Sequence, residues 1–144
     1  MTRRSPDSLA ERVLRNVHGD RVTLLNHGAR LTRIELQLPD GIRNVILGYE
    51  DHDGYLTDPY FMGATVGRTC NRIAGAHFNL DGVDYPLDAN EGKNHLHGGA
   101  GGFHQRYWSI DAAVPGDPVR FRLRSVDGDQ GYPGALEASV TYHW

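Results

Sequence analysis

Apolar and polar residues alternate with a period of two along most of the chain, and no long stretch repeats at helical spacing. Residues 34–38 show it first: Ile34, Leu36 and Leu38 share one face, with Glu35 and Gln37 on the other. Pro39-Asp40-Gly41 predicts a turn, after which Val45-Ile46-Leu47 reads as a resumed, buried strand. The clearest hairpin spans 76–87. Phe78 and Leu80 lie on one side, Asp81-Gly82 suits a two-residue type I′ turn, and Val83, Tyr85 and Leu87 are expected to face a core on return. Pro86 donates nothing to a ladder, which places its strand at an edge.

Residues 119–125, VRFRLRS, set Val119, Phe121 and Leu123 against Arg120, Arg122 and Arg124. That is a half-exposed antiparallel strand, its arginines a solvated face rather than a ligand ladder. Asp127-Gly128 breaks the strand. Tyr132-Pro133-Gly134-Ala135 carries Pro and Gly where a type II turn needs them. A last strand alternates Leu136, Ala138, Val140, Tyr142 and Trp144 with polar residues, leaving an apolar face open at Trp144. The expectation is the front part of a longer all-β protein; the plainer alternative is a terminal strand that ends on Trp.

A length of 144 residues allows one domain or part of one. A formal charge of -3 leaves no basic footprint for nucleic acid. The single cysteine, Cys70, rules out an internal disulfide and reads as a small buried thiol. The first thirty residues hold no apolar segment of signal-peptide type and nothing reaches the length of a membrane span, so the expected location is cytoplasmic, with no membrane partner. Residues 1–12 are polar and are expected to form a flexible tail ahead of a domain over 13–144.

Two clusters carry chemistry. The first is Lys93-Asn94-His95-Leu96-His97-Gly98-Gly99, with His104 following. In a strand, His95 and His97 would share a face and could reach one ion. The positions where a carboxylate ligand would follow are Gly101 and Gly102, so no metal site is assigned. An imidazole can also exchange protons near neutral pH, and glycine beside it lets a ligand approach the backbone; a histidine that only ties down a polar loop is the bland alternative. The second cluster is Gly67-Arg68-Thr69-Cys70-Asn71-Arg72-Ile73. Arg68 and Arg72, four apart, would share a face on a helix or strand, and Arg and Asn donate in fixed geometry to hydroxyl or carboxylate oxygens. At least one of these arginines is expected to be partly buried and hydrogen-bonded. Phe103, Tyr107 and Trp108 fit core packing better than a stacking platform.

In order, GATVGRTCNRI, FNLDGVDYPL, NHLHGGAGGFHQRYW and DGDQGYPG resemble the aldose 1-epimerase (galactose mutarotase) family, and NHGARLTRIELQLPDG with NVILGYE is similar to its opening strands. The resemblance covers roughly residues 13–144. It implies an antiparallel β-sandwich, the galactose mutarotase-like supersandwich, and interconversion of the α and β anomers of free hexoses such as galactose and glucose, with no cofactor. In that family a base takes the anomeric hydroxyl proton while an acid protonates the ring oxygen; the ring opens, the C1–C2 bond rotates, and the ring closes on its other face. Asn71, Arg72 and His97 match the family's substrate-binding positions, Arg68 matches a supporting structural one, and His95 receives no role. The family's acid, a histidine in an Asn-His-x-Tyr-Phe-Asn motif, and its glutamate base would both lie downstream of Trp144, so no catalytic residue is assigned within this chain. A non-catalytic sugar-binding relative and a hexose-phosphate epimerase are the alternatives, and the oligomeric state is left open.

Overall fold

The computed structural model describes residues 8–111 and 118–144. Eleven strands and four short 3-10 turns follow in order. Strands β1 (Glu11–Arg15), β2 (Arg21–Leu25), β3 (Arg30–Leu38) and β4 (Gly41–Asn44) form an antiparallel meander in chain order. Three more, β9 (Ser109–Ile110), β10 (Val119–Ser125) and β11 (Leu136–Tyr142), make a second antiparallel sheet with β10 in its middle. Two small ribbons pair β5 (Arg72–Ile73) with β8 (His95–Leu96), and β6 (His77–Leu80) with β7 (Val83–Pro86).

The main core sits between the two larger sheets. Leu14, Val22 and Leu24 meet Val119, Phe121 and Leu123, with Phe103 and Trp108 closing one end. The alternation in 119–125 is realised residue for residue: Val119, Phe121, Leu123 and Ser125 are buried and the three arginines exposed. Tyr142 ties the sheets together, its hydroxyl donating to the Ala29 carbonyl at 2.8 Å. Removing the water-exposed apolar surface of these facing side chains is the main drive for the sandwich. A satellite core of Ala76, Leu87 and Tyr132 lies under the β6–β7 hairpin. Phe103 and Trp108 are core residues, as their spacing suggested, and Trp108 Nε1 donates to the Phe103 carbonyl.

The 76–87 hairpin forms in the expected register, Leu80 opposite Val83, with Asp81 at φ 53° and Gly82 at φ 83° as a type I′ turn requires. Val83 is nevertheless half exposed, because this two-stranded ribbon projects past the satellite core; only Leu87 is buried on the return strand. Val45-Ile46-Leu47 is not a buried run. Asn44 Oδ1 accepts from the Ile34 and Ile46 amides, turning the chain off the edge of β4, so Val45 and Leu47 point into solvent. Within the stretch expected as a tail, β1 starts at Glu11, and Asn26 clasps residues 8–10, accepting from Ala10 N and donating to Ser8 O. The rest of the predicted tail, residues 1–7, lies outside the described residues.

The β10 arginines are held at the surface: Arg122 pairs with Asp111, Arg124 with Glu137, and Arg120 donates to Thr141 Oγ1. Exposed pairs of this kind are screened by water and contribute little. Arg122→Ala is therefore expected to leave the urea midpoint where it is; a clear downward move would show that the pair matters to the fold. Among the described residues, no helix is long and apolar enough to cross a membrane.

Candidate functional site

Three backbone devices gather the site. The β5–β8 pairing sets Arg72 opposite Leu96 and Ile73 opposite His95, so the two clusters read in the sequence are neighbours in space. At the mouth of this ribbon, Asn71 and His97 are reciprocally bonded. His97 N donates to the Asn71 carbonyl at 3.1 Å, and Asn71 N donates to His97 Nδ1 at 3.0 Å. Both residues hold positive φ, 64° and 50°. The third device is a close backbone approach. A Cβ on Gly98 would overlap the Gly67 carbonyl, so the 67–68 and 97–98 segments touch only because position 98 is glycine; one on Gly67 would enter the Phe103 ring, so that ring packs on this segment only because position 67 is glycine too.

The Asn71–His97 bond fixes a tautomer. A backbone N–H can only donate, so His97 Nδ1 is an acceptor and a neutral ring carries its proton on Nε2. That N–H is the hydrogen-bonding group His97 offers a ligand. Phe61, itself at φ 57°, packs on His97 with ring centroids 4.6 Å apart and meets His104 at the same distance. His104 is buried and its Nδ1 has no partner among the described residues. Burial first, then the Arg30 guanidinium, push its imidazole down to about 4. His27, also buried, is lowered by the same two causes in the same order.

Phe61 is placed by a buried ion pair. Arg30 Nη1 lies 2.6 Å from Asp58 Oδ2, and both side chains are wholly buried. The carboxylate also accepts from Tyr60 N, Met62 N and the Tyr49 hydroxyl, which folds residues 58–62 around it. Burial alone would raise the Asp58 carboxyl; the Arg30 bond and these further donors outweigh it and hold the group below the usual carboxylate range.

Arg68 and Arg72 do not share a face. No helix or strand spans them, and β5 begins only at Arg72. Arg68 turns to the far sheet, donating to Ser125 Oγ and to the carbonyls of Ser125, Val126, Pro133 and Gly134. It is partly buried and hydrogen-bonded through Nε, Nη1 and Nη2, so one arginine of this cluster behaves as expected. Arg72 lies exposed and grips Glu91 instead. Cys70 is exposed, not buried, because it sits on the outer side of the turn between these two arginines.

His95 and His97 likewise diverge, since β8 ends at Leu96 and His97 has already left extended geometry. His95 is buried. Its Nδ1 is 2.6 Å from the Asp88 carbonyl, which can only accept, so Nδ1 donates and Nε2 accepts. The Tyr132 hydroxyl, 2.8 Å away, donates to Nε2 and in turn accepts from Thr69. This directional chain joins the Tyr132–Ala135 turn, β8 and the Asn71 loop. Among the described residues, no group of three His, Cys, Asp or Glu side chains is arranged to hold a metal ion.

Sequence reasoning selected Asn71, Arg72 and His97, which lie at one end of the β5–β8 ribbon. It missed Phe61, Glu91 and the buttressing by His95. A period-two histidine pair was the only local signal for His95, and it suggested a shared face that the chain does not keep. Nothing local marks Phe61 or Glu91.

A family model described as aldose 1-epimerase matches residues 12–143. The aldose 1-epimerase of Haemophilus influenzae is 44% identical over 129 residues, covering 90% of this chain and 37% of that protein. Galactose mutarotase of Bos taurus is 41% identical over 123 residues, covering 85% and 35% respectively. The solved structure of an aldose epimerase homologue from C. elegans superposes with a TM-score of 0.86 at 32% identity, over 94% of this chain and 42% of that one. The chain thus spans well under half the length of the relatives it matches. With the family model matched from β1 to the residue before Trp144, and 94% of this chain superposing on part of a solved relative, this chain belongs to the aldose 1-epimerase family.

Proposed function

We propose that Asn71, Arg72 and His97 form the hexose-gripping face of an aldose 1-epimerase, and that these 144 residues carry that face without the proton-carrying pair. The observation that carries the reading is the reciprocal bonding of the Asn71 backbone with His97 beside Arg72, which brings a guanidinium and an imidazole N–H to one ribbon end, with Asn71 between them in the chain's turn. Such groups recognise hydroxyl and ether oxygens of a neutral pyranose such as galactose or glucose. His97, with Nε2–H as its free donor, suits an oxygen near the anomeric centre. Anomer exchange further requires a base on the anomeric hydroxyl and an acid on the ring oxygen, on opposite sides of the ring. His104 is a poor acid for this step, because a buried imidazole held near 4 is unprotonated at neutral pH.

Galactose added to the folded chain is expected to shift the amide resonances of Asn71, Arg72 and His97. Polarimetry of fresh α-galactose is expected to follow the buffer rate. Acceleration by this chain would overturn the missing-pair reading, and a titration that moves none of the three residues would overturn the sugar site. A non-catalytic sugar-binding protein gives the same two results from these residues alone. Restored acceleration on adding the remaining length of a relative's sandwich would favour the enzyme.

A further inference from the structure

Arg72 is not a free cation. Glu91 holds its Nε at 2.9 and 2.8 Å through Oε1 and Oε2, and its Nη2 at 2.5 Å through Oε1. Nη1 is left with no partner among the described residues, so the guanidinium is presented to a ligand by that end. Glu91 is itself fixed from both sides. Its amide and carbonyl exchange hydrogen bonds with Asn94, Asn94 Oδ1 accepts from Gly75 N ahead of β6, and neighbouring Asn90 is doubly bonded to Leu96 of β8. A side chain on a surface loop is seldom so anchored, and a bidentate grip on an exposed arginine limits where the guanidinium can go.

The pairing also sets the charge. A guanidinium with a carboxylate against its Nε edge has no net charge to offer, while Nη1 keeps its directional N–H groups. Neutral hydroxyl oxygens still find donors there. A phosphate ester at Nη1 would find the guanidinium charge already offset by the carboxylate across it, and disfavouring a wrong ligand is a common source of specificity. Building on the sugar-site reading above, we infer that Glu91 is a positioning and specificity-determining residue: it aims Arg72 at a neutral aldose and keeps sugar phosphates out. This selects against the hexose-phosphate alternative raised by the sequence.

The test uses the 144-residue chain, E91Q and E91D in two NMR titrations, one with galactose and one with inorganic phosphate. Wild type is expected to respond to galactose and not to phosphate. E91Q, freed of the carboxylate, is expected to bind galactose roughly tenfold more weakly and to gain phosphate-induced shifts at Arg72. E91D keeps the charge and is expected to exclude phosphate as wild type does, which a merely structural role for Glu91 would not predict. Phosphate shifts at Arg72 of equal size in wild type and E91Q would overturn the inference, as would unchanged galactose affinity in E91Q. Loss of the galactose response in wild type, with the phosphate pattern intact, would instead remove the sugar-site reading and leave the charge masking standing.

Discussion

Asp58→Asn is expected to be the most damaging conservative substitution in this chain, lowering stability by about 3–5 kcal/mol, the usual cost of stranding one member of a buried ion pair. Arg30 would remain wholly buried with its charge uncompensated. The carboxylate also serves Tyr60 N, Met62 N and the Tyr49 hydroxyl, and an asparagine has one acceptor oxygen for these donors. The damage should reach the site, since the 58–62 turn carries Phe61, whose ring contacts both His97 and His104. Chemical denaturation gives the stability loss; the ring proton shifts of His97 and His104 report the release of Phe61. The double variant Arg30→Met, Asp58→Ala should cost less than the two single changes added together, because it removes both charges at once. A D58N protein within about 1 kcal/mol of wild type would show that water reaches Arg30 and that the pair is not the anchor.

Acid is expected to unfold the chain through His104. Its imidazole sits at about 4 in the folded protein against an ordinary 6.5, so the unfolded chain takes up a proton that the folded one refuses. Stability from this group is therefore full above the unfolded value and is lost as pH falls from about 6.5 toward about 4, with no further loss below. At about 1.4 kcal/mol per pH unit, the loss across the window is at most about 3.5 kcal/mol. His27, lowered in the same direction, adds to it. Asp58 acts in the same sense but lower on the scale: its carboxyl lies below the ordinary value, so its contribution holds above the unfolded carboxyl value and fades as pH falls through the folded one. Urea melts near neutral pH and at about pH 4.5 check this. In His104→Gln the difference between the two melts should shrink, since glutamine does not titrate. An identical pH dependence in both proteins would show that His104 is hydrated in the folded state.

Much of the fold could be read from the chain because its signals are local. Asp81-Gly82 forms the type I′ turn because both residues tolerate positive φ, and the flanking alternation fixes the register at once. Val119, Phe121 and Leu123 face the core because successive side chains in a strand point to opposite faces. The candidate site residues were picked out through motif order. Their partners were not. Arg30 meets Asp58 across 28 positions, Tyr132 meets His95 across 37, and Arg68 meets Ser125 across 57. Cys70 and Val45-Ile46-Leu47 went the other way, their apolar character suggesting burial that a turn denied them.

Resemblance in motif order supplied the sandwich and the candidate sugar contacts; by itself the sequence determined its antiparallel strands and where its hairpins turn. Those properties follow from backbone preference and strand periodicity, which act over a few residues. The tertiary structure alone decided that Asn71 and His97 hold each other, that Arg72 is tethered to Glu91, that Arg68 faces away, and that Phe61 is clamped by a buried charge pair. Direction, burial and partner are set when distant segments pack together. Two arginines four residues apart can therefore end with one bracing the opposite sheet and the other at the mouth of the site.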